Sequence, residues 1–137
     1  MGVIATAKHY VNNEQETDRT TVSANLDERT AWELYYQPFM AAVDSGVLSV
    51  MCSYNKIGDV WACENNSTLN TALKERMGFK GWVMSDWGAT HSTKDSANHG
   101  LDQEMPDDRY FGDALKAAIQ SGDVPQQRVD DMVYRML

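Results

Sequence analysis

Residues 81–89 read Gly81-Trp82-Val83-Met84-Ser85-Asp86-Trp87-Gly88-Ala89, GWVMSDWGA. Four residues suited to a buried strand, Trp82–Ser85, run straight into an acid, an indole and a glycine. A short continuous apolar run bounded by glycine and polar residues reads as a strand of a parallel sheet covered on both faces. In such sheets chemistry gathers where strands surface at their C-terminal ends. The stretch therefore poses a question: what do a carboxylate and a large aromatic ring do at that point?

Two runs of the same kind are Val3–Ala7 and Val47–Met51, and a shorter fourth is Gly100–Asp102. Helical segments fit between them. Asp27 is placed to cap a helix through Leu34 and Tyr35, and Pro38 breaks or restarts it, since proline suits a first turn. The next segment ends before Gly46. Ser67 is placed to cap a helix with Leu69, Ala72, Leu73 and Arg76 on one stripe and Gly78 as its stop. Phe111, Leu115, Ala118 and Ile119 form another apolar face, closed by Gly122. Pro125 opens a last helix with Val129, Met132, Val133 and Met136 at helical spacing, an apolar face that reaches the final residues unfinished. The sum is four βα units, hence an α/β fold with parallel strands and right-handed crossovers. Four such units make either a small open α/β domain or half of a (β/α)8 TIM-type barrel.

Composition narrows the classes of partner. The chain has 137 residues, 42% hydrophobic and 23% charged, enough for one modest core. A net charge of -8 argues against nucleic acid, whose phosphates would be repelled. No apolar run approaches the roughly 20 residues of a membrane helix. The start, MGVIATAKHY, lacks a basic segment followed by a long apolar core. Gly2 and Thr6 do match the spacing of an N-myristoylation signal, but the plainer reading is a buried strand. Cys52 and Cys63 are either two free thiols or a disulfide closing a short loop in an oxidising compartment. Two overlapping glycosylation sequons come directly after, Asn65-Asn66-Ser67 and Asn66-Ser67-Thr68.

Every strand hands over to polar or aromatic residues. Lys8, His9 and Tyr10 come after the first, with Asn12, Glu14, Glu16 and Arg19 beyond. Ser53, Tyr54 and Asn55 succeed the second, Asp86 and Trp87 the third, Glu104 and Met105 the fourth. Such an edge suits a sugar: cations donate to hydroxyls, carboxylates accept from them, and aromatic rings offer an apolar face. A carboxylate there is also able to attack an anomeric carbon. Residue types alone leave a plainer alternative open for each position, since a strand-end aspartate also caps helices. Other chemistries lack their signatures. There is no glycine-rich phosphate loop, no Gly-x-Ser-x-Gly elbow, and His9, His91 and His99 are too scattered for metal spacing, so no metal or cofactor is expected.

Four segments carry a family resemblance: KHYVNNEQE at 8–16, MCSYNKIGDVWACENNSTLN at 51–70, GFKGWVMSDWGATHS at 78–92 and GLDQEMP at 100–106. Together, in order and over nearly the whole chain, they resemble the β-glucosidases of glycoside hydrolase family 3, most closely the secreted, fungal-type branch. The resemblance implies a retaining, exo-acting enzyme on a TIM-type barrel. Residues 1–137 would be the C-terminal half of the catalytic barrel domain, and a second domain carrying the acid/base glutamate would lie outside them. Asp86, in the Ser-Asp-Trp motif, matches the nucleophile. Lys8, His9 and Arg19 match residues that hold sugar hydroxyls, Tyr54 would sit beside the nucleophile, and Trp87 would pack on the sugar. Met51 either touches the sugar or fills core. Cys52 and Cys63 match a cysteine pair of the secreted branch.

The implied substrate is a β-glucoside or short β-glucan oligosaccharide, as in cellulose degradation, and the implied location of the parent protein is extracellular. A second branch of the family, which removes N-acetylglucosamine, continues its lysine–histidine pair into Pro-Gly-His-Gly. Here the pair continues into Tyr10-Val11-Asn12-Asn13, which argues against that branch. Glu64 and Glu104 are present, but no motif nominates either as the catalytic acid. The alternative reading is an inert half-barrel or a sugar-binding scaffold. It would expose open sheet edges and so form a homodimer or recruit its missing half.

Overall fold

The computed structural model describes residues 2–137. Its centre is a three-stranded parallel sheet in the order β1 (Thr6–Tyr10), β2 (Ser49–Cys52), β5 (Trp82–Ser85). Between β1 and β2 run α1 (Glu28–Thr30), a π-helical stretch Ala31–Tyr35, and α2 (Gln37–Asp44). Asp27 caps α1 as expected, its carboxylate accepting from the Thr30 amide at 3.0 Å, and Pro38 lies in the first turn of α2. Between β2 and β5 lie a small hairpin, β3 (Lys56–Ile57) with β4 (Val60–Trp61), and a π-helical segment Ser67–Arg76. After β5 come α3 (Lys94–Asn98), α4 (Asp113–Ser121) and α5 (Gln126–Met136). Among the described residues no helix is long and apolar enough to cross a membrane.

The parallel α/β class read from the sequence stands, with local corrections. The first strand begins at Thr6, not Val3, and continues through Tyr10; Val3 is 92% exposed. Apolarity suits residues 3–5 to a strand, but β2 begins only at Ser49, opposite Thr6, so they have no ladder to join. For the same reason the second strand starts at Ser49 rather than Val47. The expected fourth strand, Gly100–Asp102, is reduced to one parallel bridge between Met84 and Gln103. Gly100 turns the chain with φ +115°, and the Asp102 side chain folds inward. The segment still lies along β5: the Asp102 and Gln103 amides donate to Val83 O, and the Ser85 amide donates to Gln103 O. The helix 67–76 is capped by Asn65 rather than Ser67. The Ser67 hydroxyl gives its proton to Asn65 Oδ1, which also accepts from the Thr68 amide. The hairpin 56–61 had no counterpart in the sequence pattern. Its turn, Gly58-Asp59, has φ of +60° and +63°, a pair of left-handed residues as a type I′ turn requires.

Burial alternates along β5, whereas β2 begins with two buried residues, Ser49 and Val50. Val50, Cys52 and Val83 are fully buried against Leu69, Leu73, Phe79 and Tyr10. Met51, Trp82 and Met84 on the opposite face are only half-buried. One face of the sheet is packed under helices and the other is left partly open.

Strands β2 and β5 approach closely at their start. A Cβ on Gly81 would collide with the Leu48 carbonyl oxygen and lie 2.8 Å from the Leu48 Cα. Both obstacles are backbone and cannot rotate away. Gly81→Ala is therefore expected to cost about 2–3 kcal/mol, as overpacking does. Thermal unfolding checks this, and a loss below ~0.5 kcal/mol would show slack between the strands.

A buried ionic knot fastens the helices to β5. Asp102, with a fully buried side chain, accepts from Lys74 Nζ at 2.9 Å, from Arg128 at 2.5 Å and from the Val83 amide at 2.8 Å. Burial pushes Lys74 down to about 8; Asp102 works the other way, and Arg128 adds to the burial effect. In the unfolded chain the lysine returns to its ordinary value, 10.5. Between those values the unfolded chain holds a proton that the folded chain has released, so this site's contribution to stability rises with pH. The stability of the wild type relative to Lys74→Met is expected to grow from about pH 8 to about pH 10 in urea titrations. A flat difference would mean that the lysine stays charged.

Candidate active site

Asp86 is placed by backbone. Its amide donates to Cys52 O at 3.1 Å, extending the β2–β5 pairing by one residue. Its carbonyl accepts from the Ala89 amide at 3.0 Å, which closes a four-residue turn. Gly88 sits in that turn with φ +76°, a conformation glycine alone adopts at no steric cost. From behind, the Ser85 hydroxyl accepts from the Met105 amide at 2.8 Å, and the Gly88 amide donates to Met105 O at 2.9 Å. A core strand thus ends in a short, braced turn that holds one carboxylate at the sheet's mouth.

Two donors and a histidine ring nitrogen face that carboxylate. Oδ1 accepts from the Trp87 amide at 2.7 Å and from the Tyr54 hydroxyl at 3.1 Å. Oδ2 lies 3.4 Å from His9 Nε2. The Tyr54 hydroxyl is also 3.1 Å from the Trp87 carbonyl, so its single proton is shared between two acceptors. Burial raises the Tyr54 pKa, and the hydrogen bond to Asp86 and its charge raise it further; Arg19 opposes them. Tyr54 is therefore a neutral donor at physiological pH. The Arg19 guanidinium lies 4.9 Å from the Tyr54 ring centroid and is itself held by Glu16 at 3.3 Å.

His9 comes from a bulge. Ala7 pairs with Val50 and Tyr10 with Cys52, so Lys8 and His9 together oppose the single residue Met51. Bulges re-aim side chains, and this one brings the His9 ring to the carboxylate. Lys8 is exposed on β1 and Met51 is half-buried on β2. Trp87 is 67% exposed, a free indole face beside Asp86.

Tyr54 is held between two buried clamps that the sequence did not disclose. The Ser53 amide donates to Tyr10 O at 2.8 Å, and Asn55 Nδ2 donates to Val11 O at 3.1 Å. Cys52, two residues before Tyr54, is disulfide-bonded to Cys63, resolving the choice the spacing left open. Asn55 was visible as part of the Ser-Tyr-Asn motif, but its partner lies 44 residues away and no local pattern announces it.

The geometry therefore gathers Asp86, Tyr54, His9, Trp87 and Arg19, with Lys8 and Met51 on the adjoining strands. It forms an open shelf. Clefts of about 370 Å³, lined in part by Asn12, Trp32 and Arg76, and about 460 Å³, lined in part by Val3 and Leu48, do not include Asp86. Two other acids near strand ends are occupied. Glu104 Oε2 accepts from the Tyr110 and Phe111 amides at 2.8 and 2.6 Å, and Glu64 accepts from Ser92. Among the described residues no group of three or more His, Cys, Asp or Glu side chains is arranged to hold a metal ion.

Comparison with known proteins gives consistent findings. The model of the glycosyl hydrolase family 3 N-terminal domain matches residues 1–137. A probable beta-glucosidase L of Emericella nidulans is 56% identical over 99% of the chain, and a beta-glucosidase cel3A of Pyricularia oryzae is 50% identical over 100%. The chain spans only 20% of either relative's length. Among solved structures, a beta-D-glucoside glucohydrolase from Trichoderma reesei superposes with a TM-score of 0.96 at 54% identity, over 98% of this chain and 20% of that one. A Streptomyces venezuelae beta-glucosidase in complex with D-glucose gives 0.93 at 39% identity, over 98% of this chain and 20% of that one.

Proposed function

Since the chain belongs to glycosyl hydrolase family 3, matching its N-terminal domain throughout, we propose that it is part of a retaining, exo-acting β-glucosidase with Asp86 as the nucleophile. The observation that carries this reading is the convergence of Tyr54, His9 and the Trp87 amide on one carboxylate at the mouth of β5. The carboxylate attacks the anomeric carbon of a terminal β-glucosyl residue, the C1–O bond to the aglycone breaks, and a glycosyl-aspartate forms. Water then releases glucose with the original anomeric configuration. Tyr54 and the Trp87 amide both donate to Oδ1 and fix the carboxylate's plane, leaving Oδ2, beside His9, as the attacking oxygen. Lys8, His9 and Arg19 hold sugar hydroxyls, and the exposed Trp87 ring covers an apolar sugar face. Met51, half-buried across from the bulge, fills the floor.

Retention needs a second carboxyl about 5–5.5 Å from the first to protonate the leaving oxygen. The family resemblance implies that this acid lies outside these residues; Glu64 and Glu104 are engaged in holding other groups. Substrates are β-glucosides and short β-glucan oligosaccharides, and the parent protein is extracellular, in keeping with the Cys52–Cys63 disulfide.

The test is intact mass after incubation with a 2-deoxy-2-fluoro-β-glucoside bearing a dinitrophenolate leaving group. That leaving group needs little protonation, and the fluorine slows breakdown of the glycosyl-enzyme. An adduct mapping to Asp86 supports the assignment; an adduct elsewhere, or none in folded full-length protein, overturns it.

The half-open sheet face supports a further reading, that these residues form the C-terminal half of a barrel. In isolation the chain then dimerises, recruits its missing half or aggregates. Light scattering on the purified chain checks this, and a stable, monodisperse monomer would count against it.

A further inference from the structure

Two sequons overlap at the start of the helix 67–76, and the fold treats their asparagines oppositely. Asn65 is 6% exposed. Its Nδ2 donates to Ile57 O at 2.8 Å, and its Oδ1 accepts from the Ser67 hydroxyl and the Thr68 amide. That one side chain ties the β3–β4 hairpin to the start of the helix, and a sugar on its nitrogen would break the tie. Asn66 is exposed. Its Oδ1 accepts from Asn70 Nδ2 at 2.8 Å, and among the described residues its own Nδ2 makes no hydrogen bond. A substituent on that nitrogen displaces nothing.

We infer that Asn66 is an N-glycosylation site and that Asn65, although it begins a valid sequon, is not. The inference rests on the extracellular location proposed for the parent protein. The donor is an oligosaccharide on a lipid diphosphate. Its C1–O bond to the diphosphate breaks, a C1–Nδ2 bond forms, and the proton lost from Nδ2 leaves with the diphosphate side. Transfer precedes folding, because the Thr68 hydroxyl that completes the Asn66 sequon is buried in the folded chain and donates to Asn65 O. The unfolded chain offers both asparagines, but only a chain modified at Asn66 can still close the Asn65 bonds.

The experiment sends the full chain through the yeast secretory pathway behind a supplied signal sequence. The folded product is released from its glycans by an amidase in heavy-oxygen water, and the peptide spanning residues 57–74 is sequenced by mass. Heavy-oxygen aspartate is expected at 66 in most of the product, with asparagine retained at 65. Ser67→Ala removes only the first sequon and should leave occupancy unchanged. Asn66→Gln keeps the first sequon and should give folded, unglycosylated chain. Label at position 65, no label in folded wild type, or a glycosylated Asn66→Gln product would each overturn the inference. Because the signal is supplied, these outcomes do not depend on natural location. That is read separately, from whether the native protein is found in its host's medium.

Discussion

Asp86→Asn, made in a full-length family 3 protein carrying this segment, is expected to lower kcat for aryl β-glucosides by about 10⁴-fold, roughly 5.4 kcal/mol of added barrier. A carboxamide keeps the shape, and its oxygen still accepts from the Trp87 amide and the Tyr54 hydroxyl, so the melting temperature should barely change. What disappears is the negative oxygen that forms the bond to C1. The mechanism allows a second readout that a merely structural aspartate would not give. Asp86→Gly opens space on the side from which the carboxylate attacks. Added azide is expected to restore turnover of an activated β-glucoside and to yield the α-glucosyl azide, because a single displacement inverts the anomeric centre. A kcat loss below ~10-fold in Asp86→Asn, or a β-azide product, would remove Asp86 from the nucleophile's role.

Asp102→Ala is expected to have the largest effect on folding. Removing one partner of a buried ionic network typically costs about 3–5 kcal/mol, because the charges left behind have no solvent. Here the change strands Lys74 and Arg128, whose side chains are 6% and 13% exposed, and leaves the Val83 amide without its acceptor. Against a total stability on the order of 5–15 kcal/mol, the variant should be partly unfolded at room temperature. Far-UV circular dichroism with urea titration measures this. A loss under ~1 kcal/mol would show that the two cations find other partners: Arg128 already donates to Asp131 at 3.0 Å and to the Ala97 and Leu101 carbonyls.

How much was legible depended on whether the deciding partner was near in sequence. Trp82–Ser85 was readable because Gly81 and Asp86 bound it on both sides. Val3–Ala7 was misplaced because apolarity says that residues can pair, not where the neighbouring strand begins. Gly100–Asp102 looked like a strand until Asp102 proved to be turned toward Lys74, 28 residues back. The hairpin went unread because Gly58-Asp59 reverses the commoner order of turn residues. At the site, the motifs named Asp86, Tyr54, His9, Trp87 and Arg19, and the fold brings them to one place. The motifs did not reveal the clamps on Tyr54, since Ser53 and Asn55 bind the Tyr10 and Val11 carbonyls, at and just past the end of β1 and more than forty residues away. For Cys52 and Cys63 the spacing permitted a bond without requiring one.

The segment lying along β5 has a consequence for assembly. It already takes the Val83 carbonyl and the Ser85 amide, and Asp102 Oδ2 takes the Val83 amide, so an incoming strand cannot pair with β5 at those groups. On the other flank β1 pairs only with β2 among the described residues. Lateral growth through the ladder is therefore one-sided. Two copies joining by this route would each spend their single adhesive margin on the other, giving a closed pair related by a twofold axis. Endless polymerisation needs two such margins per copy, and among the described residues the ladder leaves one strand, β1, with an unpaired side.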